Sequence, residues 1–288
     1  MFPVVDDLRA IEFGSPGKSR ETIVNFVVHG NKRATAGMAA EYETEGEEVE
    51  HIGECLAMLD NDSKHVATLQ VTRVDVSRFA DVPDEFALAE AEGDLNAADF
   101  RASHYAFWTR AGETITDDTM INQIYFDLLS HRLRNLESSD ADWITRACQD
   151  EEVQRWTKVP RPYTREHAES FIKDKNDELA AWAIIDSRSQ DPVGVIGIHH
   201  VINGVGSIGY WVAPWGRKSG AASAALRIIP TLARRIGKAH TLHATIAETN
   251  TASRRTAERA GFELIGNSAE SCPDGSSLTL GLTYQLQI

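Results

Sequence analysis

The chain has 288 residues, of which 42% are hydrophobic and 25% are charged, as is ordinary for a soluble globular protein. At about 150 residues per domain, this length predicts two domains. No run of about 18 apolar residues is present, which excludes a helical membrane span. The first ten residues lack the basic flank and apolar stretch of a secretion signal.

Acidic side chains concentrate in the first half of the chain. Residues 1–130 carry 25 Asp and Glu against 10 Lys and Arg, whereas residues 131–288 carry 18 against 19. Such a surface repels phosphate backbones at long range, which argues against non-specific binding of long nucleic acid. A single nucleotide in a local pocket is still allowed. The three cysteines are far apart and form no CxxC pair, so we expect reduced thiols in a cytoplasmic protein without a metal site.

The first half predicts a mixture of helices and short strands. A helix is expected over 20–29, because its apolar residues share one face and Gly30 follows it. A loop and a strand follow over 31–42, and further strands over 53–60, 65–79 and 121–129. Residues 84–108 read as helical with a break near Gly93. We predict an α+β unit built on a small closed β-barrel.

One motif in this half resembles a known family. The segment Gly30–Thr35 resembles the G-x-K-x-x-T signature of the ASCH domain, and the stretches 84–94 and 100–108 resemble later parts of it. The resemblance covers about residues 8–129. It implies a PUA-like β-barrel with a cleft and a role connected with RNA. Some small members of the family are amidohydrolases that remove acyl groups from N4-acylated cytidine.

The resemblance also implies site residues. Lys32, Thr35 and Glu90 would form the catalytic set, with Glu92 as the alternative carboxylate. A lysine amine is a nucleophile or base only when deprotonated, and a carboxylate can orient it. The ligand would be a nucleoside or a short RNA. His104 matches a position that is often histidine in the family, and four aromatic residues could stack a base or pack in the core: Tyr42, Tyr105, Phe107 and Trp108.

The second half predicts an α/β fold with a mixed sheet. We place the boundary near residue 130, which gives domains 1–130 and 131–288. Ser138-Ser139-Asp140 can cap a helix, and further helices are expected over 151–158, 165–173, 219–236 and 250–260. Strands are expected in the remaining apolar runs, over 181–186, 192–202, 205–213, 240–248, 262–266 and 278–287.

The start of the longest helix is a candidate anion-binding site. Residues 217–222 lie between a strand and a helix start, whose free N–H groups and partial positive charge favour an anion. Arg217, Gly220 and Ala222 fit the R/Q-x-x-G-x-G/A motif of the GNAT acetyltransferases, which cradles the pyrophosphate of coenzyme A. Gly209–Val212 resembles the splayed strand of that family. Asn250–Ser253 resembles the N-x-x-S of the branch that contains ribosomal-protein N-terminal acetyltransferases.

This resemblance spans about residues 131–288 and implies acetyl-CoA as co-substrate, with no metal. The main-chain N–H near Val212 would polarise the thioester carbonyl. The residues that it implies for coenzyme binding are Tyr210, Trp211, Val212, Arg217, Lys218, Ser219, Gly220, Ala221, Ala222, Asn250 and Ser253. The residues considered for catalysis are Glu248, Asn250 and Ser253, with His199, His200 and His243 as further candidates for the base.

Two departures from the family pattern keep alternatives open. Ser207 stands where a glutamate is frequent, and Ala257 stands where many members have a tyrosine acid. The preferred hypothesis is an N-acetyltransferase with an ASCH recognition module, acting on a small-molecule or protein N-terminal amine. The alternatives are an acylcytidine amidohydrolase with an accessory GNAT half, and a non-catalytic sensor of acetyl-CoA and a nucleotide. The oligomeric state is left open.

Overall fold

The computed structural model describes residues 3–174 and 179–288. Internal contacts divide the chain into two compact units, Met1–Leu129 and Ser130–Ile288, called here the N-terminal and C-terminal units. No helix among the described residues is long and apolar enough to cross a membrane.

The N-terminal unit packs helices against a six-stranded sheet. The strands are β1 Val4–Val5, β2 Leu8–Ile11, β3 Ala34–Met38, β4 Cys55–Leu59, β5 His65–Arg78 and β6 Met120–Leu128. The helices are α1 Lys18–Val28, α2 Ala39–Glu45, α3 Asp84–Glu90 and α4 Ala97–Ala111. Helix α1 ends where predicted, because Gly30 has a φ of 85° and its N–H donates to the Val27 carbonyl.

The predicted closed barrel is not found, because the sheet is open. Its order is β1-β2-β4-β5-β6-β3, with β2 and β4 parallel and the other pairs antiparallel. Closure would require β3 to pair with β1, but β1 has only two residues and β3 only five. The segment after β3, predicted as part of a strand, is helix α2 instead. Its Ala and Glu residues favour a helix, which ends at left-handed Gly46.

The C-terminal unit is built on a seven-stranded mixed sheet. Its strands are β7 His131–Asn135, β8 Ala180–Asp186, β9 Pro192–Ile202, β10 Val205–Val212, β11 Thr241–Ala247, β12 Glu263–Asp274 and β13 Ser277–Gln287. Its helices are α5 Ala141–Ala147, α6 Glu151–Trp156, α7 Arg165–Asp174, α8 Ala221–Gly237 and α9 Thr251–Arg259. The order is β12-β13-β11-β10-β9-β8-β7, and β10–β11 is its parallel pair, which confirms the predicted mixed sheet.

Two central strands of this sheet separate halfway along their length. Strand β10 pairs with β9 along its whole length, from Val205 to Val212. It pairs with β11 only from Val205 to Ile208, opposite Thr241 to Ala244. Beyond that point β11 continues beside β13 alone. The last half of β10 and the last half of β11 therefore diverge and leave an opening within the sheet.

Candidate functional site

The opening between β10 and β11 leads into a cleft of about 940 Å³, called here the central cleft. Its walls are the diverging strands, the segment after α6, and strand β12, which bulges between Asn267 and Ser271. The polar and aromatic residues that line it come from several elements: Trp156, Lys158, Tyr163, His199, His200, Tyr210, Trp211, His243, Asn250, Ser253 and Glu270.

The end of β10 presents backbone groups to the central cleft. The Ala213 N–H donates to the Val193 carbonyl on the β9 side, at 2.8 Å. Because successive residues of a strand alternate the side to which their N–H points, the N–H of Val212 faces the side that β11 has left. No neighbouring strand occupies that side among the described residues. Val212 can therefore donate a hydrogen bond to a carbonyl group in the cleft.

Tyr210 joins β10 to the start of α9. Its hydroxyl lies 2.7 Å from the Ser253 Oγ, and burial raises the pKa of Tyr210 to about 12. The Asn250 Oδ1 caps α9 by accepting the Ser253 N–H at 3.1 Å. Tyr210, Asn250 and Ser253 thus meet at the cleft. Glu248 is exposed and does not line it.

Residues 217–222, called here the 217–222 loop, lead from β10 into α8. Lys218 and Gly220 have left-handed backbones, with φ of 63° and 91°. A Cβ at Gly220 would meet only the Ser130 Oγ, at 3.6 Å. The first turn of α8 leaves its N–H groups without acceptors inside the helix. This open backbone at a helix start can accept the diphosphate of a coenzyme. The small side chains of Ala221 and Ala222 would leave room for it.

Arg217 already has an anionic partner. Its guanidinium pairs with the carboxylate of Asp150, which also caps α6 by accepting the Val153 N–H at 3.0 Å. Burial raises the pKa of Asp150, but the bonds from Arg217 and Val153 outweigh it and hold this pKa below its usual value. Asp150 was not recognised in the sequence, because a pair separated by 67 residues leaves no local pattern.

Several titratable groups line the cleft. His243 Nε2 lies 3.0 Å from the Gln285 Oε1 on the neighbouring strand. His199 lies over Gly209, where a Cβ would come within 2.5 Å of the ring. Burial raises the pKa of the Cys148 thiol to about 12, so this cysteine is not a thiolate.

Ala257, which stands where many GNAT members have a tyrosine acid, is fully buried in the core, and it supplies no proton donor.

The N-terminal unit brings three charged residues together. Lys32 is fully buried, and its Nζ lies 2.6 Å from the Glu92 Oε1 and 3.5 Å from the Glu90 Oε1. The backbone explains this convergence, because the Arg33 N–H donates to the Ala89 carbonyl at 2.7 Å and ties the loop after α1 to the end of α3. A second cleft, of about 440 Å³, opens beside Glu92 and along α1 from Lys18 to Phe26.

Glu90 is more deeply buried than Glu92. Its Oε1 accepts the Ala36 N–H at 2.9 Å, and its Oε2 lies 3.3 Å from His104 Nε2. Burial raises the pKa of Glu90, against the opposing charges of Lys32 and His104. The His104 ring stacks on Phe100 with centroids 3.9 Å apart, which fixes it beside the carboxylate.

Thr35 is not bonded to this cluster. It is half-buried on β3, and its hydroxyl has no hydrogen bond to any residue within 3–174 and 179–288. Of the four aromatic residues considered for stacking, Trp108 lies in the core and Tyr42 is buried against Glu50. Tyr105 and Phe107 are exposed.

Both halves of the chain match family models. Residues 9–130 match the ASCH domain, and residues 131–263 match the acetyltransferase (GNAT) domain. No curated protein matches the chain.

Solved structures are similar to each half. An acetyltransferase of the GNAT family from Bacillus anthracis is 22% identical, with a TM-score of 0.48, over 55% of this chain and 95% of that one. RimJ of Mycobacterium smegmatis in complex with CoA-disulfide is 20% identical, with a TM-score of 0.49, over 55% and 81%. An ASCH domain from Lactobacillus crispatus JV V101 is 22% identical, with a TM-score of 0.38, over 41% and 77%.

The buried cluster predicts a pH-dependent loss of stability on removal of Lys32. In Lys32→Met, Glu90 loses its cation, so its folded-state pKa rises further above the unfolded value of about 4.3. The resulting loss is small near pH 5 and grows as the pH rises through the folded-state pKa. We expect about 3 kcal/mol near pH 8. Pulse proteolysis in urea, read from peptides of residues 1–129, measures it.

The matched control is Lys64→Met. Lys64 pairs with Asp62 at 3.8 Å, and both side chains are 74% exposed. This variant should leave the free energy of unfolding unchanged at both pH values, because exposed pairs are screened by solvent. Equal losses near pH 5 and pH 8 in Lys32→Met would show that Glu90 does not depend on Lys32 for its charge.

Proposed function

Because the chain joins an ASCH domain to an acetyltransferase domain of the GNAT family, we propose that it transfers the acetyl group of acetyl-CoA to an amine. The observation that carries this proposal is the separation of β10 from β11 beside the start of α8. The separation opens the central cleft and frees the Val212 N–H. The helix start supplies N–H groups for a diphosphate.

Each part of the site has a task in this reaction. Acetyl-CoA supplies an acetyl group activated as a thioester. The amine nitrogen forms a bond to the acetyl carbon, the carbon–sulfur bond breaks, and coenzyme A leaves as the thiol. The Val212 N–H would stabilise the negative charge that develops on the carbonyl oxygen. The α8 start and the Arg217 guanidinium would hold the diphosphate, with Arg217 exchanging its Asp150 partner for phosphate.

Two proton transfers accompany the reaction. The attacking amine must lose a proton, and the imidazoles of His199 and His243, which line the cleft, are candidates to accept it. The sulfur must gain a proton, and the hydroxyl pair of Tyr210 and Ser253 is a donor on the cleft. Asn250 positions Ser253 through the helix cap. Glu248 would have no direct part, since it lies off the cleft.

The acceptor is an amine of a small molecule or of a protein N-terminus, and the ASCH unit would recognise a nucleoside or a short RNA. The acidic surface of residues 1–130 favours the smaller ligand over long RNA. Glu92 lines the second cleft and would accept a hydrogen bond from the polar edge of a base, while Lys32 and Glu90 lie buried behind it.

Gly220→Glu tests the coenzyme site. A carboxylate at this position would repel the diphosphate and fill the space over the helix start, so acetyl-CoA affinity should fall more than about tenfold in calorimetry. The helix itself should tolerate the change, because an acidic side chain near a helix N-terminus is favourable.

Gly261→Glu is the matched control. Gly261 has a φ of 88°, close to that of Gly220, and a Cβ there would meet only the Leu286 Cδ1, at 3.5 Å. It follows α9 and does not line the central cleft. The Gly261→Glu variant introduces the same charge and the same strain of a left-handed backbone as Gly220→Glu. It should bind acetyl-CoA with the affinity of the parent protein. Equal affinities for all three proteins would remove the 217–222 loop from the site.

The Lys32 cluster supports a second candidate function, hydrolysis of N4-acylated cytidine. The Lys32 Nζ is fully buried, 2.6 Å from the Glu92 Oε1 and 3.5 Å from the Glu90 Oε1, so it is not placed to attack the acyl carbon of a ligand. We therefore favour binding of a nucleoside by the N-terminal unit over hydrolysis of an acylated cytidine.

A spectroscopic assay separates binding from hydrolysis at the ASCH unit. Loss of acetylcytidine absorbance without any coenzyme would establish hydrolysis, and Lys32→Ala should abolish it. Binding of acetylcytidine without hydrolysis is the expected result. Hydrolysis that persists in Lys32→Ala would exclude this cluster from the reaction.

A further inference from the structure

A buried histidine lies directly beneath the 217–222 loop. His131 begins β7 at the edge of the sheet and is 1% exposed. Its Nε2 lies 3.1 Å from the Ser219 Oγ, and its Nδ1 lies 2.9 Å from the Ser130 Oγ. The sheet anchors it, because His131 pairs with Asp186 on β8 and the Ser187 N–H donates to the Ser130 carbonyl at 3.1 Å.

The direction of these hydrogen bonds follows from proton counting. The Ser219 hydroxyl donates its one proton to the Gly216 carbonyl, at 2.7 Å. It can therefore only accept from His131, so the imidazole carries its proton on Nε2. Nδ1 is then an acceptor for the Ser130 hydroxyl. The bonds run in one direction, from Ser130 through His131 and Ser219 to the Gly216 carbonyl, just before the loop.

The loop needs such an anchor. Lys218 and Gly220, on either side of Ser219, both have left-handed backbones. Left-handed geometry is unfavourable for a lysine, so surrounding contacts must hold it. Ser219 is the residue between them whose side chain reaches the sheet, and a Cβ on Gly220 would also meet Ser130.

We propose that neutral His131 is a positioning residue for acetyl-CoA, holding Ser219 so that the N–H groups at the start of α8 are set for the diphosphate before it binds. This inference rests on the proposed function of the 217–222 loop. Burial lowers the pKa of His131, although the Asp186 carboxylate, 3.7 Å away, opposes it, and this favours the neutral ring.

A double-mutant cycle tests the proposal in the full chain. His131→Phe removes the donor and keeps a ring of similar size, and Ser219→Ala removes the acceptor. Each change should weaken acetyl-CoA binding about fivefold in calorimetry, the cost of one hydrogen bond. The double variant should also lose about fivefold and not the product of the two losses, because both changes break the same contact. The loss should also appear as a higher KM for acetyl-CoA, because the contact is proposed to order the diphosphate site.

Two further variants separate positioning from general damage. His131→Gln keeps an N–H donor and should recover part of the affinity. His65→Phe removes another buried histidine, whose Nε2 lies 3.0 Å from the Thr68 hydroxyl in the N-terminal unit. It should leave acetyl-CoA affinity unchanged.

The outcomes are distinguishable. If the parent protein binds acetyl-CoA and the two losses multiply, or if Ser219→Ala binds like the parent, the inference is wrong while the proposed function stands. Should His131→Phe fail to fold, Ser219→Ala and His131→Gln still decide it. If the parent protein does not bind acetyl-CoA, the proposed function fails and the inference fails with it.

Discussion

The separation of β10 from β11 after Ile208 is the constraint on which the C-terminal unit depends. A strand that leaves its neighbour exposes N–H and carbonyl groups that need other partners. Here β9 secures one edge of β10 as far as Val212, so the other edge stays extended and available. In the proposed function, a ligand with amide groups would replace the missing strand, and its reactive carbonyl would accept a hydrogen bond from the Val212 N–H. The same gap forms the central cleft, which is lined by Tyr210 and Ser253, whose hydroxyls lie 2.7 Å apart.

The N-terminal unit depends on a different feature, a lysine buried with two carboxylates. A buried ammonium without partners would be prohibitively unfavourable, so Lys32, Glu90 and Glu92 constrain one another. The loop after α1 and the end of α3 must stay in register for the cluster to form, and the bond from Arg33 to Ala89 maintains that register. A charged cluster beside a cleft suits polar recognition of a small ligand. It is poorly suited to nucleophilic attack by the amine.

Local patterns predicted much of the fold, and long-range contacts account for what they missed. The helix predicted over 20–29 and the strands predicted over 53–60, 65–79 and 121–129 match α1, β4, β5 and β6, because apolar periodicity and glycine stops mark them. The apolar pattern does not predict strand β7, because its first buried residue, at position 131, is a histidine and not an apolar residue. Lys32, Glu90, Tyr210 and Ser253 were named from motifs, but the bonds from His131 to Ser219 and from Arg217 to Asp150 join distant segments. The prediction of a closed barrel is wrong because closure requires β1 and β3, far apart in the sequence, to pair, and both edge strands are short.

The most direct test of the central claim is release of free thiol from acetyl-CoA by the full chain, followed with a thiol reagent across a panel of amines. The panel should include peptides with free N-termini, simple alkylamines and aminonucleosides. The account predicts thiol release that requires both protein and a particular amine, with one acetylated product formed per thiol in mass spectrometry. Tight binding of acetyl-CoA with no amine-dependent thiol release would contradict it and would favour a sensor over an enzyme.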